Sequence, residues 1–208
     1  MNNLTRKERE RMQRKTYIMD AAERVFARDG YEHASMNEIA KESEFTKRTL
    51  YQYFVDKSDL YLAVALRMYN HMYDSLKKME LDQKTGLDKI EAVFMSYFTF
   101  YKDNQAKFRI IYDIGNVRKE SDNPKIAEFL EIDQLMFKNF AELIVEGQRD
   151  GSISNTMDAK AMTTSLIFLF TGFLNQLTIT GQNFAKHLGI TIDDIASNVI
   201  QLIRSAMH

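Results

Sequence analysis

Between residues 46 and 57 the chain reads TKRTLYQYFVDK, a run whose cations, hydroxyls and amide a short helix would gather on one side. At about 100° per residue, Leu50 and Phe54 fall on one face while Lys47, Arg48, Tyr51 and Gln52 share an opposing arc. Lys and Arg suit phosphates or guanine edges, Gln suits adenine, and the Tyr and Thr hydroxyls suit phosphate oxygens. The chemistry on offer is therefore recognition of a DNA groove. Periodicity alone leaves a second reading open, an ordinary solvated face on a small three-helix core.

The flanking residues supply the scaffold. Ser35 and Glu38 form the S-x-x-E signature of a capping box, and the short helix they open places Met36, Ile39, Ala40 and Ser43 on a core face. After the turn Ser43-Glu44-Phe45, Thr46 is the N-cap expected for the second helix. Ahead of both, Ile18, Ala21, Ala22, Val25 and Phe26 recur at helical spacing, with Gly30 as the stop signal. Behind them, Asp56 caps a further helix with Asp59 at its third position, so Lys57 is its first residue, where unpaired N–H groups and a cation suit a phosphate. Residues 1 to 14 carry Arg6, Lys7, Arg9, Arg11 and Arg14 around Glu8 and Glu10. They are expected to be a frayed helical extension, serving either as a solubilising tail or as an arm reaching a minor groove or flanking phosphates.

Ala21, Ala22, Phe26, Gly30, Tyr31, Ser35, Ile39, Ala40, Thr46, Leu50, Tyr51, Tyr53, Phe54, Lys57 and Leu60 have the order and spacing of a known domain. It is the N-terminal domain of the TetR (tetracycline repressor) family of bacterial transcriptional regulators, which residues of about 15 to 62 resemble. The string TLYQYF followed by DK is the most specific part of the resemblance. Two positions depart from the family pattern: Glu44 where the turn usually has Gly, and Arg48 where many members have Gly. A left-handed backbone at Glu44 would cost on the order of 1 kcal/mol. Arg48 makes the face more basic.

The resemblance implies a DNA-contacting set of Ser35, Met36, Thr46, Lys47, Arg48, Thr49, Tyr51, Gln52, Tyr53 and Lys57, the last on the DNA backbone. It also implies a C-terminal domain whose helices enclose an inducer pocket and whose last two helices form a four-helix dimer interface. Dimerisation follows from symmetry too, because two recognition helices related by a two-fold axis read a palindrome.

Composition sets outer limits. In 208 residues, 45% are hydrophobic and one is proline, which points to an all-α protein. The net charge of -1 carries no global nucleic-acid signature. Placement is more informative, since residues 1 to 57 hold 12 Lys/Arg against 10 Asp/Glu. With no cysteine, disulfides and thiolate zinc sites are excluded. The basic start is followed by polar residues, so no secretory signal is expected. Ala161 to Ala185 lacks charge but is broken by Thr, Ser, Asn, Gln and Gly, and reads as a buried helix.

The rest of the chain alternates helical stripes with breaks. Leu60, Val64, Met68, Met72, Ser75 and Met79 extend one helix to about residue 79, long enough to join two domains. Further helices are expected from Leu87 to Tyr101, from about Gln105 to Ile114, from Pro124 to about Gln148, from Asp158 through an all-round apolar Leu166 to Leu174, and from Ile192 to Met207. The architecture read here is all-α, about nine helices. Residues 1–57 form a three-helix DNA-binding domain with a basic arm, and a long fourth helix joins it to a regulatory domain, 58–208. Candidate pocket residues are Met68, Met72, Phe94, Tyr97, Phe98, Tyr101, Phe108, Tyr112, Phe137, Phe140 and Phe173, with Met136 and Phe168 among the same aromatics and methionines. Ordinary core packing is the competing reading for each of these. Asp133 is a candidate counter-ion for a cationic ligand, the competing reading being a pairing with Arg109 or another internal cation or a place at the helix's wet edge.

The functional expectation is a cytoplasmic regulator, in its simplest form a repressor. It would bind a palindromic operator as a homodimer through the last two helices and be released by a small apolar or aromatic ligand. The alternative is the same regulator with a solid C-terminal core. No catalytic residues, metal or cofactor are expected: HExxH, GxGxxG and Walker motifs are absent, and none of His33, His71, His187 and His208 has a carboxylate three residues before it.

Overall fold

A computed structural model of the protein describes residues 5–77, 85–105, 108–111, 114, 117 and 123–208. Among the described residues there are nine α-helices and one π-helical turn, with no strand. The helices are α1 (Arg6–His33), α2 (Met36–Glu42), α3 (Lys47–Leu50), α4 (Lys57–Lys77), α5 (Gly86–Asp103), α6 (Lys125–Asp150), α7 (Ala159–Gln176), α8 (Gln182–Leu188) and α9 (Ile192–Met207). The π turn, Leu177–Gly181, joins α7 to α8.

Two compact units account for the chain. The first takes Met1–Tyr69 with Ala106–Phe129, the second Asn70–Gln105 with Leu130–His208. The first therefore extends beyond the junction expected after Lys57. Its reason is packing: Leu60, Tyr61, Leu62, Val64 and Ala65 on α4 are all buried, and the Tyr61 hydroxyl donates to the Ile110 carbonyl at 3.0 Å. The Tyr61 ring also meets Phe26 edge-on, with centroids 4.8 Å apart.

Local signals set the helix starts of the first unit. Ser35 accepts from Glu38 N and donates its own N–H to the Glu38 carboxylate, completing the expected box. Thr46 caps α3 through Thr49 N at 3.1 Å, and Asp56 caps α4 through Asp59 N at 2.7 Å. α1 differs from expectation. It is a continuous helix from Arg6 because Thr5 and Glu8 make a second capping box, Thr5 N lying 2.7 Å from the Glu8 carboxylate. Gly30 interrupts it at φ 77°, and one further turn runs to His33.

In the second unit α5 and α6 approach closely at two glycines. A Cβ on Gly86 would stand 2.3 Å from the Gly147 backbone nitrogen, so only glycine fits there. Asp150 then accepts from Gly86 N at 2.7 Å and Ser152 accepts from Leu87 N at 3.2 Å, which caps α5 from the end of α6. Asp158 caps α7 as expected. Thr191 and Asp194 form a capping box that starts α9. The apolar run expected as one buried helix is broken by the π turn and is one-sided. Met162, Leu166, Phe170 and Leu174 are buried, while Phe168 is 74% exposed and Leu169 63% exposed. Residues 81–84 and 118–122 and Met79 lie outside the described residues.

Candidate nucleic-acid interface

The turn between α2 and α3 is built on a left-handed residue. Glu44 has φ 57°, Phe45 N donates to the Ala40 carbonyl at 3.0 Å and Glu44 N donates to the Lys41 carbonyl at 3.2 Å. That pair of bonds is a Schellman motif, in which glycine is the usual left-handed residue. Its orientation of the chain is fixed on the far side by the Ser43 hydroxyl, which donates to the Ile39 carbonyl at 2.7 Å.

α3 is a single regular turn, Lys47–Leu50, continued as helical turns by Tyr51 N to the Lys47 carbonyl and Phe54 N to the Leu50 carbonyl. Leu50 and Phe54 are buried at 0% and 2% exposure, so the segment is anchored on its apolar side. Lys47, Arg48, Tyr51 and Gln52 are all exposed on the other. Neither Lys47 nor Arg48 makes an ion pair among the described residues, in contrast to Arg24, Arg28 and Arg67, which are bound to carboxylates. The two cations of the open face are thus left available by the described carboxylates.

The other expected contact residues behave differently. Thr49 and Tyr53 are half-buried, Thr46 is exposed, and the Thr46 and Thr49 hydroxyls lie 2.9 Å apart. Both the hydroxyl and the N–H of Ser35 go to Glu38. Met36 is 6% exposed and packs in the core, so its side chain is not presented to a ligand. Lys57 departs furthest from expectation. Its ammonium donates to the carbonyls of Tyr31 at 2.8 Å, Ala34 at 3.1 Å and Glu32 at 3.4 Å, and sits 4.4 Å above the Tyr31 ring. It is the cationic cap on the end of α1, where carbonyls lack intrahelical donors.

Behind the segment, Asp59 is the centre of a buried structural cluster that the sequence did not reveal. It is 7% exposed and gathers Val55 N at 3.0 Å, Asn123 Nδ2 at 2.9 Å and the Lys125 ammonium. Burial pushes its carboxyl up, but the bonds from Lys125, Asn123 and Val55 outweigh burial and hold it below the usual carboxylate value. Nothing local in the sequence marks this, because both side-chain partners are more than sixty residues away.

The expected pocket residues divide between the units. Met68 and Phe108 are buried in the first; Tyr112 lies outside the described residues. In the second, Phe94 packs on Phe140 at 5.5 Å and on Phe170 at 4.5 Å, Phe170 on Phe173 at 5.9 Å, and Phe98 stacks on Tyr101 at 6.1 Å. Met72 is buried, Tyr97 lies edge-on to Phe170, and Asp133 is half-buried on α6. Burial raises the Tyr101 phenol, partly countered by its bond with Thr178. A separate groove of about 570 Å³ in this unit includes Phe137 with Ala141, Val145 and Lys160.

Residues 18–64 match the family model described as "Bacterial regulatory proteins, tetR family", the stretch that holds the capped, open-faced segment. These residues carry a tetR-family domain. A relative, the HTH-type transcriptional activator FasR of Mycolicibacterium smegmatis, is 29% identical over 103 residues, 50% of this chain and 47% of the relative. An HTH-type transcriptional regulator of Staphylococcus aureus is 32% identical over 99 residues, 48% of this chain and 53% of the relative. The chain thus matches about half the length of these curated relatives. The TetR fold continues through the second unit. A bacterial regulatory protein in the tetR family from Rhodococcus RHA1 superposes with TM-score 0.74 at 21% identity, covering 93% of this chain and 96% of that one. FadR from Bacillus subtilis in complex with stearoyl-CoA superposes at 0.72 and 18% identity, covering 93% and 99%.

Proposed function

We propose that the protein is a sequence-specific DNA-binding transcriptional regulator, a repressor that binds a palindromic operator as a homodimer and is released by a small ligand. The observation that carries this reading is the segment from Thr46 to Phe54, held by buried Leu50 and Phe54 with Lys47, Arg48, Tyr51 and Gln52 open to solvent. Cytoplasmic location follows from access to DNA. Dimerisation through α7 and α9 is supported by Phe168, Leu169 and Leu202, each at least 63% exposed, which a partner copy would remove from water. Ala159–Leu188 is by length and composition apolar enough to cross a membrane. Its buried stripe of Leu166, Phe170 and Leu174 instead places one face in the protein's own core, which supports reading the exposed face as the one a partner copy would cover.

The ligand class is an apolar or amphipathic molecule, and the stearoyl-CoA bound by the FadR neighbour supports an acyl compound. The mutual packing of Phe94, Phe140 and Phe170 favours a second reading in which the second unit is solid and no inducer exists. Thermal-shift screening against acyl-CoAs and other lipids separates the two, since a ligand that binds the native state raises the melting temperature. Selection of bound duplex from a random pool tests the main reading: a palindrome is expected, and recovery of no consensus would refute it.

A further inference from the structure

The face of α1 that forms core at Ile18, Ala22 and Val25 does not stop where the core stops. Traced back at about 100° per residue it becomes Lys15, Arg14, Arg11 and Lys7. All residues from Thr5 to Tyr17 are exposed, so these turns project beyond the packed body. The two carboxylates of the arm lie to either side of this stripe and are engaged locally, Glu8 with Thr5 and Glu10 with Arg6 at 2.9 Å. Lys7 and Arg14 make no ion pair among the described residues. Arg11 and Lys15 lean toward the recognition segment instead: the Arg11 guanidinium stands 5.9 Å from the Tyr53 ring and the Lys15 ammonium 5.7 Å from the Phe54 ring.

We infer that the first three turns of α1 are a second DNA-contacting element, whose Lys7, Arg11, Arg14 and Lys15 stripe grips duplex phosphates flanking the bases faced by α3. The inference rests on the DNA-binding reading above and adds a contact to it. A protein core would demand apolar residues on this stripe, and a merely solubilising helix would disperse its charges around the axis. Four cations aligned on the continuation of a buried face fit a polyanion. The capping box at Thr5 makes the arm a rod, and a helix about 10 Å wide does not enter a minor groove about 6 Å wide. It lies along the backbone instead. From Lys7 to Lys15 it spans about 12 Å at 1.5 Å per residue, equal to three or four base-pair steps at about 3.4 Å each.

The test uses the full chain carrying Lys7→Gln with Arg14→Gln, and the duplex recovered from the random pool, followed by fluorescence anisotropy between about 50 and 200 mM salt. Each lost phosphate contact lowers the slope of log affinity against log salt by about 0.9, so the pair lowers it by about 2 per protomer. Over that salt range the wild-type advantage should shrink by about tenfold per protomer. Trimming about four flanking base pairs from each end should then weaken the wild type more than the variant, which keeps only Arg11 and Lys15 of the stripe. An unchanged salt slope, or equal losses on trimming, overturns the arm as a phosphate contact. Arg48→Ala run beside it separates the two readings: if that variant loses affinity while the arm variant keeps its slope, only the arm inference fails.

Discussion

The Lys57 ammonium donates to the Tyr31 carbonyl at 2.8 Å and lies over the ring of the same tyrosine at 4.4 Å. A residue placed by the family resemblance on the DNA backbone is thus occupied inside the protein, joining the start of α4 to the end of α1. Lys57→Ala is expected to lower stability by about 1.5 to 3 kcal/mol, the range for hydrogen bonds to a charged group. The salt dependence of DNA binding should stay at its wild-type slope. Urea unfolding and salt titration read the two effects, and a slope reduced by about 1 without loss of stability would return Lys57 to the phosphate.

Glu44 holds the left-handed position of a Schellman turn without being glycine. Glu44→Gly removes strain of about 1 to 2 kcal/mol and loses part of it to the greater freedom of the unfolded chain. A net gain of about 1 kcal/mol, or roughly 2 to 4 °C in melting temperature for a chain of this size, is expected. A lower melting temperature would show that the glutamate side chain contributes something the backbone argument omits.

Asp59 has a folded pKa below its unfolded value, so the stability it contributes is present above the unfolded pKa of about 4 and is lost as pH falls through the folded value. Asp59→Asn should cost about 3 kcal/mol at neutral pH, because the Lys125 charge is left without its partner. The gap between wild type and variant should close as the pH drops below about 4. Unfolding curves between acid and neutral pH check this; a gap independent of pH would contradict it.

Gly86 lies where any side chain would collide with the backbone of Gly147 and Leu143. Gly86→Ala is expected to destabilise the protein by about 1 to 3 kcal/mol through overpacking, with the α5 cap on Asp150 lost as the helices separate. Calorimetry reads the loss. A variant as stable as wild type would mean that the two helices can part without penalty.

What the sequence made legible was local. Ser35 with Glu38, Thr46, Asp56 and Asp158 each marked a helix start within three residues of the bond that forms, and Leu50 and Phe54 marked a buried side by spacing alone. The left-handed turn at Glu44 could be anticipated because the chain had to reverse there. Thr5 and Glu8 carried the same capping signature as Ser35 and Glu38, so the ordered arm was also readable, and the cationic stripe could be found by extending the Ile18 face backwards. The direction of the Lys57 side chain was not readable, because its carbonyl acceptors are 23 to 26 residues away. Asp59 with Lys125 was hidden for the same reason, and the π turn at Leu177–Gly181 has no charge or breaker at its start to signal it.

DNA recognition by the open face of α3 is tested most directly by a gel shift of Arg48→Ala and Tyr51→Ala on the selected duplex. Both side chains are exposed, so both variants should melt with the wild type while each loses affinity by about tenfold, the low end for a specific contact. Wild-type affinity in both, at unchanged melting temperature, would contradict the assignment of this face to DNA.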